Sequence, residues 1–167
     1  IPGEVLNRSL DFGFVTFEPA ERGLVSVSLG VDELVMLVRP GHPLSKRRHI
    51  TMEEFGTQTV IAHNDYSPRR EGVLRLFEEK HAPINIQISL ASLDGIKRAV
   101  EMGLGVALLP RRCALAELAR KQLVAVRVPQ LRMPRELRLV YRKAGKLSHA
   151  AAAFLGAAQA HIAGSKT

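Results

Sequence analysis

The chain has 167 residues, 46% of them hydrophobic, enough for one domain or two small lobes with a buried core. Its formal net charge of +8 comes from basic residues spread along the chain, densest at Lys46-Arg47-Arg48-His49, with no helix–turn–helix, zinc-finger or RNA-binding pattern beside them. A single cysteine, Cys113, excludes an internal disulfide framework and fits a reducing compartment, the absence of any run of about 18 apolar residues excludes a spanning helix, and the lack of Trp argues against a base-stacking surface.

Ile1 to Leu10 reads as the end of a helix feeding a strand at residues 11–16, and residues 18–23 as a loop. Val25, Val27 and Leu29 alternate with polar or small residues and predict a half-buried strand. Leu34-Val-Met-Leu-Val38 predicts a central strand, turned at Gly41-His42-Pro43. Thr51 and Glu54 form a capping-box signature. A strand at residues 59–62 ends in His63-Asn64-Asp65-Tyr66-Ser67-Pro68, where Ser67 reads as an N-cap and Pro68 as the first helical residue. That helix runs to about Lys80, with Val73, Leu76 and Phe77 inward. Ile84, Ile86 and Ile88 predict a strand with one buried face.

The next stretch, Ser92 to Pro110, is the most informative. Ser92 is an N-cap, and Ile96, Ala99 and Val100 share one helical face while Lys97, Arg98 and Glu101 face away. Gly103 fits a left-handed C-cap, and Gly105 opens Val-Ala-Leu-Leu, a short apolar run that suits a strand of a parallel sheet. Residues 111–121 read as a helix with Ala114, Leu115 and Leu118 inward, residues 123–128 and 136–142 as strands, and Ser148 as the cap of an alanine-rich helix to about Ala160. Strands alternating with helices define an α/β fold with a largely parallel sheet, with four strands between Glu33 and Val128 forming one lobe.

The stretch Ser92, Ile96-Lys97, Val100, Gly103, Gly105, Leu109-Pro110 resembles the late segment of the effector-binding domain of LysR-type transcriptional regulators, written (S)xxxIKxxVxxGxGxxxLP. Leu10-Asp11-Phe12-Gly13-Phe14, His42-Pro43-Leu44 and Leu137–Lys143 followed by Leu147-Ser148 resemble further family motifs in the same order. The resemblance implies two Rossmann-like lobes of the type II periplasmic-binding-protein kind. Residues 1–31 and 134–167 would form the first lobe and residues 32–133 the second, with crossovers near 30–32 and 131–135. The first lobe would lack its opening strand, helix and strand, and a chain beginning with Ile is expected to be part of a longer protein. The resemblance further implies a cytoplasmic, dimeric or higher-order regulator with a small-molecule effector in the interlobe cleft. Promoter DNA would be bound only by an N-terminal domain outside this chain, and no membrane partner is expected. The helix after Pro68, the final helix and the strand at 24–29 are candidate oligomer contacts.

In parallel sheets, ligands sit beyond the carboxyl ends of strands against helix N-termini. That points to His63, Asn64, Tyr66, Ser67 and Arg69 after one strand, and to Ser89 and Ser92 after another. Arg69 and Arg70 occupy a first helical turn, where a cation is unfavourable unless an anion is bound. The alternative is that both face water or pair with Glu71. Thr16, ending the first strand, matches by resemblance a cleft-facing hydroxyl. An anionic effector follows. No cofactor is implied, and His42, His49, His63, His81, His149 and His161 show no metal-ligand spacing. The chain carries no P-loop, nucleophile elbow or Cys/His pair, so no enzyme is expected. An exported solute-binding protein of a transporter is the alternative on the same fold, and a small enzyme on that scaffold the third.

Overall fold

The computed structural model describes residues 1–164 apart from Asp65 and Lys146, and within the last helix the side chains of residues 149–158 and Ala160. Asp65, the tail beyond Gly164 and the His161 side chain therefore lie outside the described residues. In chain order the elements are α1 (Pro2–Leu6), β1 (Phe12–Val15), β2 (Leu24–Asp32), β3 (Leu34–Val38), α2 (Met52–Gly56), β4 (Val60–His63), α3 (Pro68–Glu79), β5 (Ile86–Leu90), α4 (Leu93–Glu101), β6 (Ala107–Pro110), α5 (Leu115–Ala119), β7 (Val124–Val126), β8 (Arg135–Arg142) and α6 (His149–Gly164). The chain divides into two compact units, Ile1–Val31 with Arg135–Thr167, and Asp32–Pro134.

The first unit holds a three-stranded sheet in the order β1-β8-β2, with β1 antiparallel to β8 from Phe12↔Tyr141 to Val15↔Arg138. Val5, Val15 and Val140 form its small core. The Arg142 guanidinium donates to the Val5 and Leu10 carbonyls at 2.8 and 3.1 Å and so ties α1 and its exit to β8.

The second unit is built on β3, all five residues of which are buried. Side chains alternate across a strand. Leu34, Met36 and Val38 therefore join one core with Phe55, Phe77 and Leu131, while Val35 and Leu37 join the other with Ile96, Val100 and Leu123. β6 and β7 flank β3, and both run antiparallel to it. β4 and β5 pair in parallel, and a parallel bridge at Val60↔Val106 joins β4 to the chain entering β6. The unit thus has five described strands rather than four, and the largely parallel sheet is corrected at its centre. β4, β5, β6 and β7 are linked by helices and run one way, as helical crossovers require. β3 follows β2 with only Glu33 between them and runs the other way. Apolar runs report burial but not strand direction.

Local sequence accounts for the helix ends. Thr51 and Glu54 form the reciprocal capping box at 3.1 and 2.8 Å. Ser67, Ser92 and Ser148 each accept a backbone N–H with the hydroxyl oxygen. α4 ends in a Schellman motif, with Leu104 N donating to Ala99 O and Gly103 N to Val100 O, both at 3.0 Å, and Gly103 at φ +79°. Three expectations on this stretch are revised. Lys97 does not face away: its ammonium lies 2.7 Å from Glu117 and 3.0 Å from Asp94 and donates to the Cys113 carbonyl at 3.1 Å. Leu115 is exposed, because residues 111–114 form a 3-10 turn that shifts the phase of α5. The last helix runs to Gly164 rather than Ala160.

Gly105 is required where β4 and β6 meet, since a Cβ there would lie 2.4 Å from the Thr59 carbonyl oxygen. The expected cost of Gly105→Ala is about 2 kcal/mol or more, read as a lower urea midpoint. His42 supplies a pH-dependent contribution. Its Nδ1 accepts from Leu44 N at 3.1 Å, and burial followed by the nearby Arg39 charge lowers its pKa from 6.5. The unfolded state then binds the proton more readily. His42 stability is complete above about pH 6.5 and is lost as pH falls through the lowered folded pKa. His42→Asn, which cannot titrate, should show a flatter urea midpoint than the parent across this window.

Candidate functional site

β4 and β5 end side by side. His63 pairs with Leu90 and Ala62 with Ser89, which places the two outgoing loops about 4.8 Å apart at their roots. Asn64 N donates to the Leu90 carbonyl at 3.0 Å and locks the two loops together. Each loop leads within four residues into a helix, α3 after Ser67 and α4 after Ser92. One strand edge therefore carries two helix N-termini, each equivalent to about half a positive charge.

The sequence-predicted residues divide between the units. His63, Asn64, Tyr66, Ser67, Ser89 and Ser92 belong to this single edge of the second unit. Asn64, Ser89 and Ser92 are exposed, His63 and Ser67 half-buried, and the Tyr66 ring lies 82% in solvent. The Ser67 and Ser92 oxygens accept from Arg70 N at 3.2 Å and Gly95 N at 3.3 Å. Capping uses the oxygen as acceptor and leaves each O–H able to donate. Thr16 follows β1 in the first unit, where it is exposed.

Arg69 follows neither sequence alternative. Its guanidinium lies 3.5 Å from the Asp32 carboxylate and donates to the Met133 carbonyl at 2.8 Å and the Asp32 carbonyl at 3.4 Å. Arg70, on the same turn, has a buried Nε with no hydrogen-bond partner among the described residues. An unpaired buried donor costs about 1–3 kcal/mol, so the first turn of α3 retains positive potential that a bound oxyanion could satisfy. Asp32 was missed by the sequence reading. The available signal was the acidic pair Asp32-Glu33 at the junction of β2 with the apolar β3, where burial demands a partner. Among the described residues no group of three or more His, Cys, Asp or Glu could hold a metal ion, and no helix is long and apolar enough to cross a membrane.

A two-unit α/β chain with capped helices converging on the carboxyl edge of a parallel strand pair has the architecture of a small-molecule-binding domain. The LysR substrate binding domain model matches residues 1–163, and the chain belongs to that family. It is 31% identical over 123 residues to a RuBisCO operon transcriptional regulator of Allochromatium vinosum, covering 74% of this chain and 41% of that protein. It thus spans less than half the length of that regulator. Among solved structures it is similar to the Synechocystis PCC6803 CcmR regulatory domain in complex with 2-PG, with TM-score 0.71 and 23% identity over 96% of this chain and 77% of that one. It is also similar to the effector-binding domain of QuiR in complex with shikimate, with TM-score 0.63 and 22% identity over 94% and 74% of the two chains. These relatives are regulators of transcription or their effector-binding domains, not transport proteins.

The Asp32–Arg69 pair gives a direct test. Arg69→Met should lower stability by about 3 kcal/mol by stranding a buried carboxylate. The Asp32→Asn/Arg69→Met double variant should lose less than the sum of the single changes in urea unfolding.

Proposed function

We propose that this chain senses a small anionic metabolite for a bacterial LysR-type transcriptional regulator, acting in the cytoplasm by binding rather than by catalysis. The observation that carries the reading is the register of β4 and β5, which brings Asn64, Ser67, Ser89 and Ser92 and two helix N-termini to one edge. Backbone N–H groups and hydroxyls at such an edge recognise carboxylate or phosphoryl oxygens. In this reading His63, Asn64, Tyr66, Ser67, Ser89 and Ser92 supply contacts on the second unit, and Thr16 supplies one on the first. Arg70 rather than Arg69 supplies charge, and Arg69 positions the turn through Asp32. The related regulatory domains hold 2-PG and shikimate, which supports a compact polar effector.

Binding alters regulation only through different affinities for different states of the regulator. Those states would be arrangements of a homodimer or higher homo-oligomer, with α3, α6 and β2 as contact candidates. Promoter DNA would be bound by an N-terminal domain outside this sequence.

The test is calorimetric titration of the chain with 2-PG and shikimate as first probes, followed by a panel of small acids. For an acid bound at the β4–β5 edge, Ser67→Gly and Thr16→Ala should each weaken affinity about fivefold to tenfold without moving the unfolding midpoint by more than a few tenths of a kcal/mol. Unchanged affinity in both variants would overturn the proposed contacts. Sedimentation that fits a monomer at every concentration would overturn the oligomer assignment.

A further inference from the structure

A second concentration of positive charge lies elsewhere on the second unit. A cavity of about 330 Å³ is lined by Glu33, Val35, Arg48, Arg111, Ala125 and Arg127. It sits at the start of β3 and the ends of β6 and β7. β6, whose carboxyl end leads to Arg111, lies between β4 and β3, and none of the lining residues belongs to the β4–β5 edge. Arg48 belongs to the densest basic run of the sequence, which the effector site does not use.

The lining is unbalanced. The acid among the lining residues, Glu33, is already held by Arg132, with Nε at 2.7 Å and an ion-pair distance of 2.6 Å. Arg47, next to Arg48, is paired with Glu54 at 3.5 Å. Arg48, Arg111 and Arg127 meet no carboxylate among the described residues. Three arginines without a carboxylate partner among the described residues thus line one small cavity.

Their backbones are fixed. Arg111 N donates to Glu33 O at 2.9 Å, Ile50 N to Arg127 O at 2.9 Å, and Arg127 N to Arg48 O at 3.4 Å. His49 and Arg127 form a parallel bridge. The stems therefore converge on one place before any ligand arrives, which lowers the ordering cost of binding. Val35 and Ala125 supply an apolar lining.

We propose that this cavity is a second ligand site, selective for a compact polyanion carrying two or three carboxylate or phosphoryl groups. Each guanidinium presents a planar fork that matches one such group in bidentate fashion. The volume lies at the lower end of the range for small-ligand pockets, which favours a metabolite over a polymer. This site shares no residue with the effector site described above, and separate variants tell the two apart.

The experiment is calorimetric titration of the 167-residue chain with citrate and with inorganic phosphate, in parent, Arg127→Ser, Arg48→Ser, Arg127→Lys and Ser67→Gly forms. Saturable citrate binding is expected, weakening as salt rises. It should fall about tenfold in each serine variant and less in Arg127→Lys, which keeps the charge but loses the fork. Ser67→Gly should leave citrate affinity unchanged. The three arginines are exposed, so all variants should unfold at the parental midpoint. The proposal is overturned by no saturable binding up to about 10 mM citrate or phosphate. It is equally overturned if affinity falls in Ser67→Gly and not in the arginine variants. Binding of a random-sequence DNA duplex that is lost in the arginine variants while citrate binding is not would also overturn it, in favour of a nucleic-acid face.

Discussion

Asp32 is 4% exposed, and its carboxylate cannot stay charged in the core without company. Arg69 supplies that company from the first turn of α3, and Arg112 N approaches the same carboxylate at 3.4 Å. The Arg69 fork also donates to the Met133 carbonyl. Asp32 and Met133 lie at the two ends of the segment that makes up the second unit. One side chain thus closes that unit on itself and fixes where α3 begins. At 3.5 Å and an effective dielectric of about 20 the pair attracts by about 5 kcal/mol, most of it offset by desolvation. Its value is therefore geometric more than energetic. It sets the position of Ser67 and Arg70 at the start of the helix.

The same closure continues beside it. Leu34 N donates to the Arg132 carbonyl at 2.7 Å, and the Arg132 side chain grips Glu33. The entering and leaving segments are thus bonded to each other by backbone and by charge. β3 can then run as a fully buried central strand, with an apolar core on each face. The β4–β5 pair is referred back to β3 through β6 and the Val60↔Val106 bridge.

Much of this was legible in the sequence because it depends on local chemistry. Thr51 with Glu54, Ser67 before Pro68, Ser92 and Gly103 each act within a few residues, and each is found where that chemistry puts it. The same logic explains what was not legible. His81 and Lys121 end helices at φ 49° and 58°, in the conformation that Gly103 adopts, with no glycine to announce it. Strand direction depends on chain routing, so the reversed β3 left no mark in its apolar run. The partners of Lys97 and Arg69 lie 20 and 37 residues away in sequence, beyond the reach of periodicity. A basic residue on a helix reads as solvent-facing unless its acid is known.

The two helix ends at the β4–β5 edge are not equivalent, and their first turns show why. α4 carries Asp94, 91% exposed and 3.0 Å from Lys97, so its dipole already has a carboxylate of its own. Lys97 also holds Glu117 at 2.7 Å, and this contact raises the lysine pKa and lowers that of Glu117, keeping both charged near neutrality. An anion arriving at α4 meets standing negative charge. α3 likewise carries an acid, Glu71, in its first turn, but beside Arg69 and Arg70. Arg69 is turned to Asp32, and Arg70 adds a cation whose Nε is buried without a hydrogen-bond partner among the described residues. α3 thus begins with two arginines against one acid, and α4 with an acid tied to a lysine.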